Sequence, residues 1–458
     1  MNLKKNLALV AALAMSATVF AGCTKDSGNT PADTTAAGGN DTPATTDATA
    51  AADTGDQFTV MSWNDEVPVK WGEAVYTAAK PLPDGVTYNP VVFGVGGGEA
   101  TPYFQNYMES GDDLDVFALE ADFALTFLNS SYAGTLADIG ISEDEFANAY
   151  DYTMAIGTVD GALKAVSMQS CPGVYAYRTD LADQYLGVKT PEEMQAKVKD
   201  WDTYLATAEE VKTASGGKCT MSVALGGIWQ VFSAARSEDW VVDNKFVVTD
   251  EVKEFLELSK TLADNGYIDT NAQTWDASWY GRGVDGTTMG MFTCSWGLEG
   301  CILIDAAGGV DGPSYGLWNI TEGPAGWYWG GTWLAVSSTT DNPNLAADFI
   351  RYFCADTETM THFARETGTF VNNKEAVKNI VAEGGYANPL LGGQDSYAYF
   401  APAADKVPAM NIGEYDGTVK SALNPVMVDY ATGKYASIDD AIKAFTDNVQ
   451  AALPDLAW

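Results

Sequence analysis

Val91-Val92-Phe93, then Tyr103, Phe104, Tyr107 and Met108, then Asp115-Val116-Phe117-Ala118-Leu119: this stretch decides how the chain folds. The outer runs are rich in β-formers. The middle set falls at helical spacing, so it lines one face of a helix, which Gly111 stops. Strand, helix and strand at that pitch make a βαβ unit and a largely parallel sheet. The reading extends backward to Phe58-Thr59-Val60-Met61-Ser62-Trp63, a strand that ends in a polar loop, Asn64 to Glu66. Gly94-Val95-Gly96-Gly97-Gly98-Glu99 looks like a phosphate loop, but Glu99 stands where a third glycine belongs. A carboxylate would repel a phosphate, so the segment reads as a strand-to-helix connection.

Further along, Thr190-Pro191-Glu192-Glu193 spells a capping box with Pro at the first helical position. Asp200 opens a helix at Trp201 and Asn342-Pro343 another, with Ala346, Phe349, Ile350 and Phe353 on one face. Ser437 and Asp440 open the last, with Ile438, Ile442, Phe445 and Val449 inward. Residues 57–458 form an α/β chain long enough for two domains.

The start of the chain sets a compartment. Lys4 and Lys5 precede an uncharged apolar run, Leu7 to Phe20, which ends in Ala21-Gly22-Cys23. This is a secretory signal, too short and wrongly flanked for a spanning helix. The last residues resemble a bacterial lipobox, with Phe20 where Leu is usual. Cys23 is therefore the expected lipidation site and mature N-terminus. Residues 24–56 carry no aromatic residue and no Val, Ile, Leu or Met. They cannot bury enough apolar surface to offset their ordering entropy, so they read as a flexible tether.

Acids outnumber bases 62 to 25, for a net charge of −37, which excludes a nucleic-acid partner. Hydrophobic residues at 46% say that the body is folded. With Cys23 lipidated, Cys171, Cys219, Cys294, Cys301 and Cys354 remain, and an odd number leaves at least one thiol unpaired. No CxxC or Cys/His cluster points to a metal, and no cofactor is expected. The single histidine, His362, lies in a helical pattern at a surface or boundary position. No nucleophile elbow accompanies it, and no carboxylate pair stands out among so many acids. The chain therefore reads as a binder, and a secreted carbohydrate-active enzyme is the lesser alternative.

Several segments, in order, resemble the family 1 extracellular solute-binding proteins, the maltose-binding-protein-like sugar receptors. They are the first strand with Trp63-Asn64-Asp65-Glu66; Ser110-Gly111-Asp112-Asp113-Leu114-Asp115-Val116; Asp160-Gly161 through Lys164-Ala165-Val166; and Tyr175 through Tyr177-Arg178-Thr179-Asp180. Thr190-Pro191 to Trp201, Gly286 to Trp296, and Gly330-Gly331-Thr332-Trp333-Leu334-Ala335-Val336 to Phe353 complete the set. The resemblance implies a two-lobed type II periplasmic-binding-protein-like fold, each lobe a mostly parallel sheet flanked by helices. The lobes would comprise 57–168 with 319–368, and 169–318 with 369–458. The chain would cross near Ser167 to Ser170, Trp318 to Thr321, and Gly368 to Val371. It implies a monomer on the outer face of the cytoplasmic membrane that captures a solute for an ABC permease. The solute is a sugar or short oligosaccharide, with a polyamine or other cation as the alternative, since acidic clefts suit both.

A pyranose offers a C–H face to an aromatic ring and a rim of hydroxyls to carboxylates. Trp63, Asp65 and Glu66 follow the first strand, and Glu120 and Asp122 follow the third. Gln169 sits at a crossing and Trp229 after a Gly pair. Trp327, Trp329 and Trp333 crowd a Gly-rich stretch. Tyr415 and Asp416 lie in a late loop that often closes over ligand in the family. Trp296 matches the position that usually stacks on sugar, and Asp122 matches a ligand-contacting acid.

Overall fold

Every residue of the first strand after Gln57 is buried, as befits a strand flanked on both sides and covered on both faces. The computed structural model describes residues 51–298, 300–408 and 412–458. In it β1 (Gln57–Ser62) pairs in parallel with β2 (Thr87–Val92) and β3 (Val116–Glu120). The crossover helix α1 (Thr101–Ser110) ends at Gly111 in the left-handed conformation that glycine adopts without strain. Helix α2 (Ala121–Leu128) leaves directly from the end of β3. β4 (Ala165–Ser167) and the late β8 (Thr332–Val336) complete a five-stranded sheet of order β2-β1-β3-β8-β4, with β8 antiparallel to both its neighbours.

A second sheet joins β5 (Gly173–Arg178), β6 (Gly290–Cys294) and β7 (Trp318–Thr321) in the order β6-β5-β7. Both pairings are antiparallel, which corrects the expectation of a mostly parallel second sheet. Strand spacing along a chain does not encode direction, and β5 is buried throughout, as a central parallel strand would be. Two separate hydrophobic cores form on the two sheets. Helix α3 (Leu225–Ala234) and helix α5 (Asp416–Ala431) pack in the second core; α4 (Pro343–Cys354) packs in the first.

Three segments carry the chain between the cores and bond to one another. Gln169 bridges Val371, and Pro172 bridges Tyr328. The Gly173 N–H donates to the Trp327 carbonyl at 2.7 Å and the Asn372 N–H to that of Met168 at 2.9 Å. The expected crossing at Trp318–Thr321 is instead β7, inside the second sheet, so the middle crossing lies at residues 327–332. Met360 and Ala364 face the second core, which therefore takes helix Thr357–Thr367 from the first lobe.

The expected tether is also shorter than its composition implies. Asp53 Oδ1 accepts the Asn344 N–H at 2.8 Å in the first turn of α4, where free N–H groups favour an anion. Thr54 N–H donates to the Asp341 carbonyl at 2.8 Å. Residues 51–56 thus belong to the folded body. The signal segment and Cys23 lie outside the described residues.

Candidate functional site

The carboxyl ends of β1 and β3 aim two acids at the crossing segments. Glu66 begins the helix Glu66–Tyr76 and bonds the buried side chain of Gln169. Burial pushes its carboxyl up to about 7, against the pull of Lys70 and that hydrogen bond. Glu120 caps α2 by accepting the Asp122 N–H at 2.7 Å. Burial and the neighbouring Asp122 hold its carboxyl well above the ordinary value. Asp65, by contrast, is exposed and paired to Lys70 at 2.9 Å. Its expected place at the site is corrected, because it follows the polar loop outward.

Trp296 comes from the second lobe, just past β6. Its indole N–H donates to the Trp329 carbonyl at 2.6 Å, so the ring is fixed. Trp275 stacks beside it, 6.2 Å between centroids and 11° between planes, and is 49% exposed. Trp329 completes the group at 5.6 Å from Trp275 and 5.8 Å from Trp296. Gly330 lies where the two lobes meet. A Cβ there would stand 3.1 Å from Glu120 Oε1 and 3.3 Å from Trp296 Nε1. Glycine at this position, with φ of +62°, lets the acid of one lobe approach the tryptophan of the other.

Gly330 also lines a cavity of about 30 Å³, together with Asp122, Trp229, Arg236, Tyr328, Asp416 and Lys420, among others. Lys420 reaches across from α5 to Asp122 at 2.7 Å, and Arg236 pairs with Asp416 at 2.9 Å. Burial lifts Asp416 to about 6 even with Arg236 beside it.

The expected aromatic platforms divide. Trp327 is fully buried, and a Cβ on Gly173 would stand 2.1 Å from its ring. Trp333 is 1% exposed and donates to the Thr153 carbonyl at 3.0 Å inside the first core. Both are corrected from ligand contact to core, because a strand or crossing flanked on both sides turns each side chain into packed protein. Trp63 is 8% exposed and packs edge-on to Phe123. Trp229 stacks on Trp240, is almost wholly buried and belongs to the lining of the cavity. Tyr415 turns to Glu414. The sequence reading missed Trp275, Tyr328, Arg236, Lys420 and Gly330. Trp275 carried a signal, since it stands in the loop just before Asp276 and the helix Ala277–Val284.

Two lobes, separate cores and three crossing segments, with polar groups of both lobes meeting between them, define a two-lobed solute-binding fold. Residues 91–389 match the family model described as bacterial extracellular solute-binding protein, and the chain belongs to that family. A solved extracellular solute-binding protein of family 1 has the same fold at 18% identity, covering 86% of this chain and 99% of its own, with a TM-score of 0.73. The ABC-transporter-associated binding protein of B. animalis subsp. lactis Bl-04, solved with β-1,6-galactobiose, is 19% identical over 87% of this chain and 97% of its own, TM-score 0.67. The galacto-N-biose-/lacto-N-biose I-binding protein of Bifidobacterium longum, solved with lacto-N-biose, is 18% identical over 88% and 100%, TM-score 0.67. A comparison with the curated proteins gives no match. No described helix is long and apolar enough to cross a membrane.

Proposed function

We propose that the chain captures a sugar or short oligosaccharide between its lobes and passes it to an ABC permease while a lipid on Cys23 holds it at the membrane. The observation that carries this reading is the group Trp296, Trp275 and Trp329 facing Glu120 across Gly330. Flat apolar rings beside a strong acceptor match the two halves of a pyranose. The sugars held by the galactobiose- and lacto-N-biose-binding structures support the same class. A thermal-shift screen of mono- and disaccharides tests it. Stabilisation by at least one sugar, lost in Trp296→Ala, is expected; no response to any would sink it.

The cavity is far smaller than the roughly 300–1,000 Å³ of ligand pockets, so the lobes must part to admit a sugar. The Asp122–Lys420 pair exists only while they are together. Its side chains are 36% and 26% exposed, so the pair contributes about 0.5–1 kcal/mol after screening. Lys420→Ala is therefore expected to shift the ligand-free protein toward the open form and to weaken sugar binding about two- to fivefold. X-ray scattering of the two proteins checks it, and identical radii of gyration would show that the pair does not bias closure.

Cys23→Ala is expected to release the protein from membranes into the medium, since each lipid methylene buried contributes roughly 0.8 kcal/mol. A processed variant that still pellets with membranes would remove the lipid from this reading.

A further inference from the structure

The charges in the cleft do not balance. Its two inward cations are taken: Lys420 by Asp122 at 2.7 Å and Arg236 by Asp416 at 2.9 Å. Lys70, the remaining cation near Glu66, is held in solvent by Asp65 at 2.9 Å. Among the described residues no cation stands within ion-pair distance of Glu66 or Glu120, and Lys70 and Lys420 act on them only from farther off. Both acids lie near Cys171 in the first crossing segment. Between them they accept a hydrogen bond from Gln169 and one from the Asp122 N–H, which leaves acceptor capacity on each. Glu120 Oε1 also faces the indole group across Gly330.

A buried carboxylate is stable when it is paired, and otherwise takes up a proton. Burial lifts both acids, and neither the pull of Lys70 on Glu66 nor that of Lys420 on Glu120 offsets it. Indole faces attract a cation as well, most strongly where water is excluded. A wholly neutral glycan would satisfy hydroxyl contacts and leave both acids to take up protons, whereas a cation would hold them ionised.

We propose that the solute held here carries a cationic nitrogen, as an amino sugar with a free amine does, placed between Glu66 and Glu120 and the Trp296 group. This rests on reading the cleft as a sugar site. The amine would supply the missing counter-charge and its donors, while the ring supplies the C–H face.

Calorimetry on the detergent-solubilised full chain near neutral pH tests it with matched pairs. These are glucosamine and N-acetylglucosamine, galactosamine and N-acetylgalactosamine, and chitobiose with free amines and its diacetyl form, with spermidine as an amine lacking a ring. At least one free amine is expected to bind about tenfold or more tightly than its acetylated twin. The isosteric double variant Glu66→Gln, Glu120→Gln is expected to erase that preference while melting no lower than wild type. If sugars bind but no free amine binds more tightly than its acetylated twin, the proposal is overturned and the sugar reading stands. Spermidine binding more tightly than every sugar keeps the cation and overturns the sugar. Silence from every probe overturns both.

Discussion

Replacing Trp296 by alanine is expected to weaken sugar binding by about 2–4 kcal/mol, roughly 30- to 1,000-fold. The residue is partly buried and sits just past β6, where the second lobe meets the first. Its N–H is already spent on the Trp329 carbonyl, so the ring contributes its face rather than a hydrogen bond. That bond, with Trp275 parallel beside it, holds the ring in one orientation before ligand arrives. Little ordering entropy then opposes binding, which is the advantage of a preorganised platform. Removing the ring loses the stacked area, leaves the Trp329 carbonyl without its donor and frees Trp275 to move. Calorimetry and thermal melting on the same variant separate the outcomes. A wild-type dissociation constant with a collapsed melting temperature would move Trp296 from the cleft to the core.

Local signals carried the sequence reading where one residue does one geometric task. Thr190 accepts the Glu193 N–H, Asp200 that of Thr203 and Ser437 that of Asp440, as their spacing predicts. Asp115, in the Ser110–Val116 motif, is buried and binds Thr59 N–H and Thr340 Oγ1, tying β1 and β3 to the loop after β8. Pairing direction was not legible, because β5 pairs with strands more than a hundred residues downstream and its own residues are buried either way. The site divides similarly. Glu66, Glu120 and Gln169 follow from where strands end, since a strand's carboxyl end is where loops project. Lys420 and Arg236 could not be found that way. Each sits in or beside a helix, and its role exists only when another segment brings an acid to it. Tryptophan identity alone did not decide position either: Trp296 and Trp333 both flank Gly-rich loops, and burial separates them.

That separation makes the second large prediction. Trp333→Ala is expected to destabilise the protein by about 3–5 kcal/mol, with the sugar dissociation constant changed far less than in Trp296→Ala. Trp333 is the second residue of β8, paired on one side with Leu119 and on the other with Ser167. Its ring lies in the first core, and its N–H donates to the Thr153 carbonyl. Alanine would leave a cavity of indole size at the junction of three strands, and the two flanking strands prevent the backbone from closing it. It would also orphan a buried carbonyl, which adds to the loss. The nearby Gly331 packs against the same ring and carries no side chain that could fill the space. Urea unfolding measures the difference directly, through the midpoint at constant slope. Wild-type stability together with lost sugar binding would put Trp333 back in the cleft, and with it the expectation that the whole Gly-rich stretch serves the ligand.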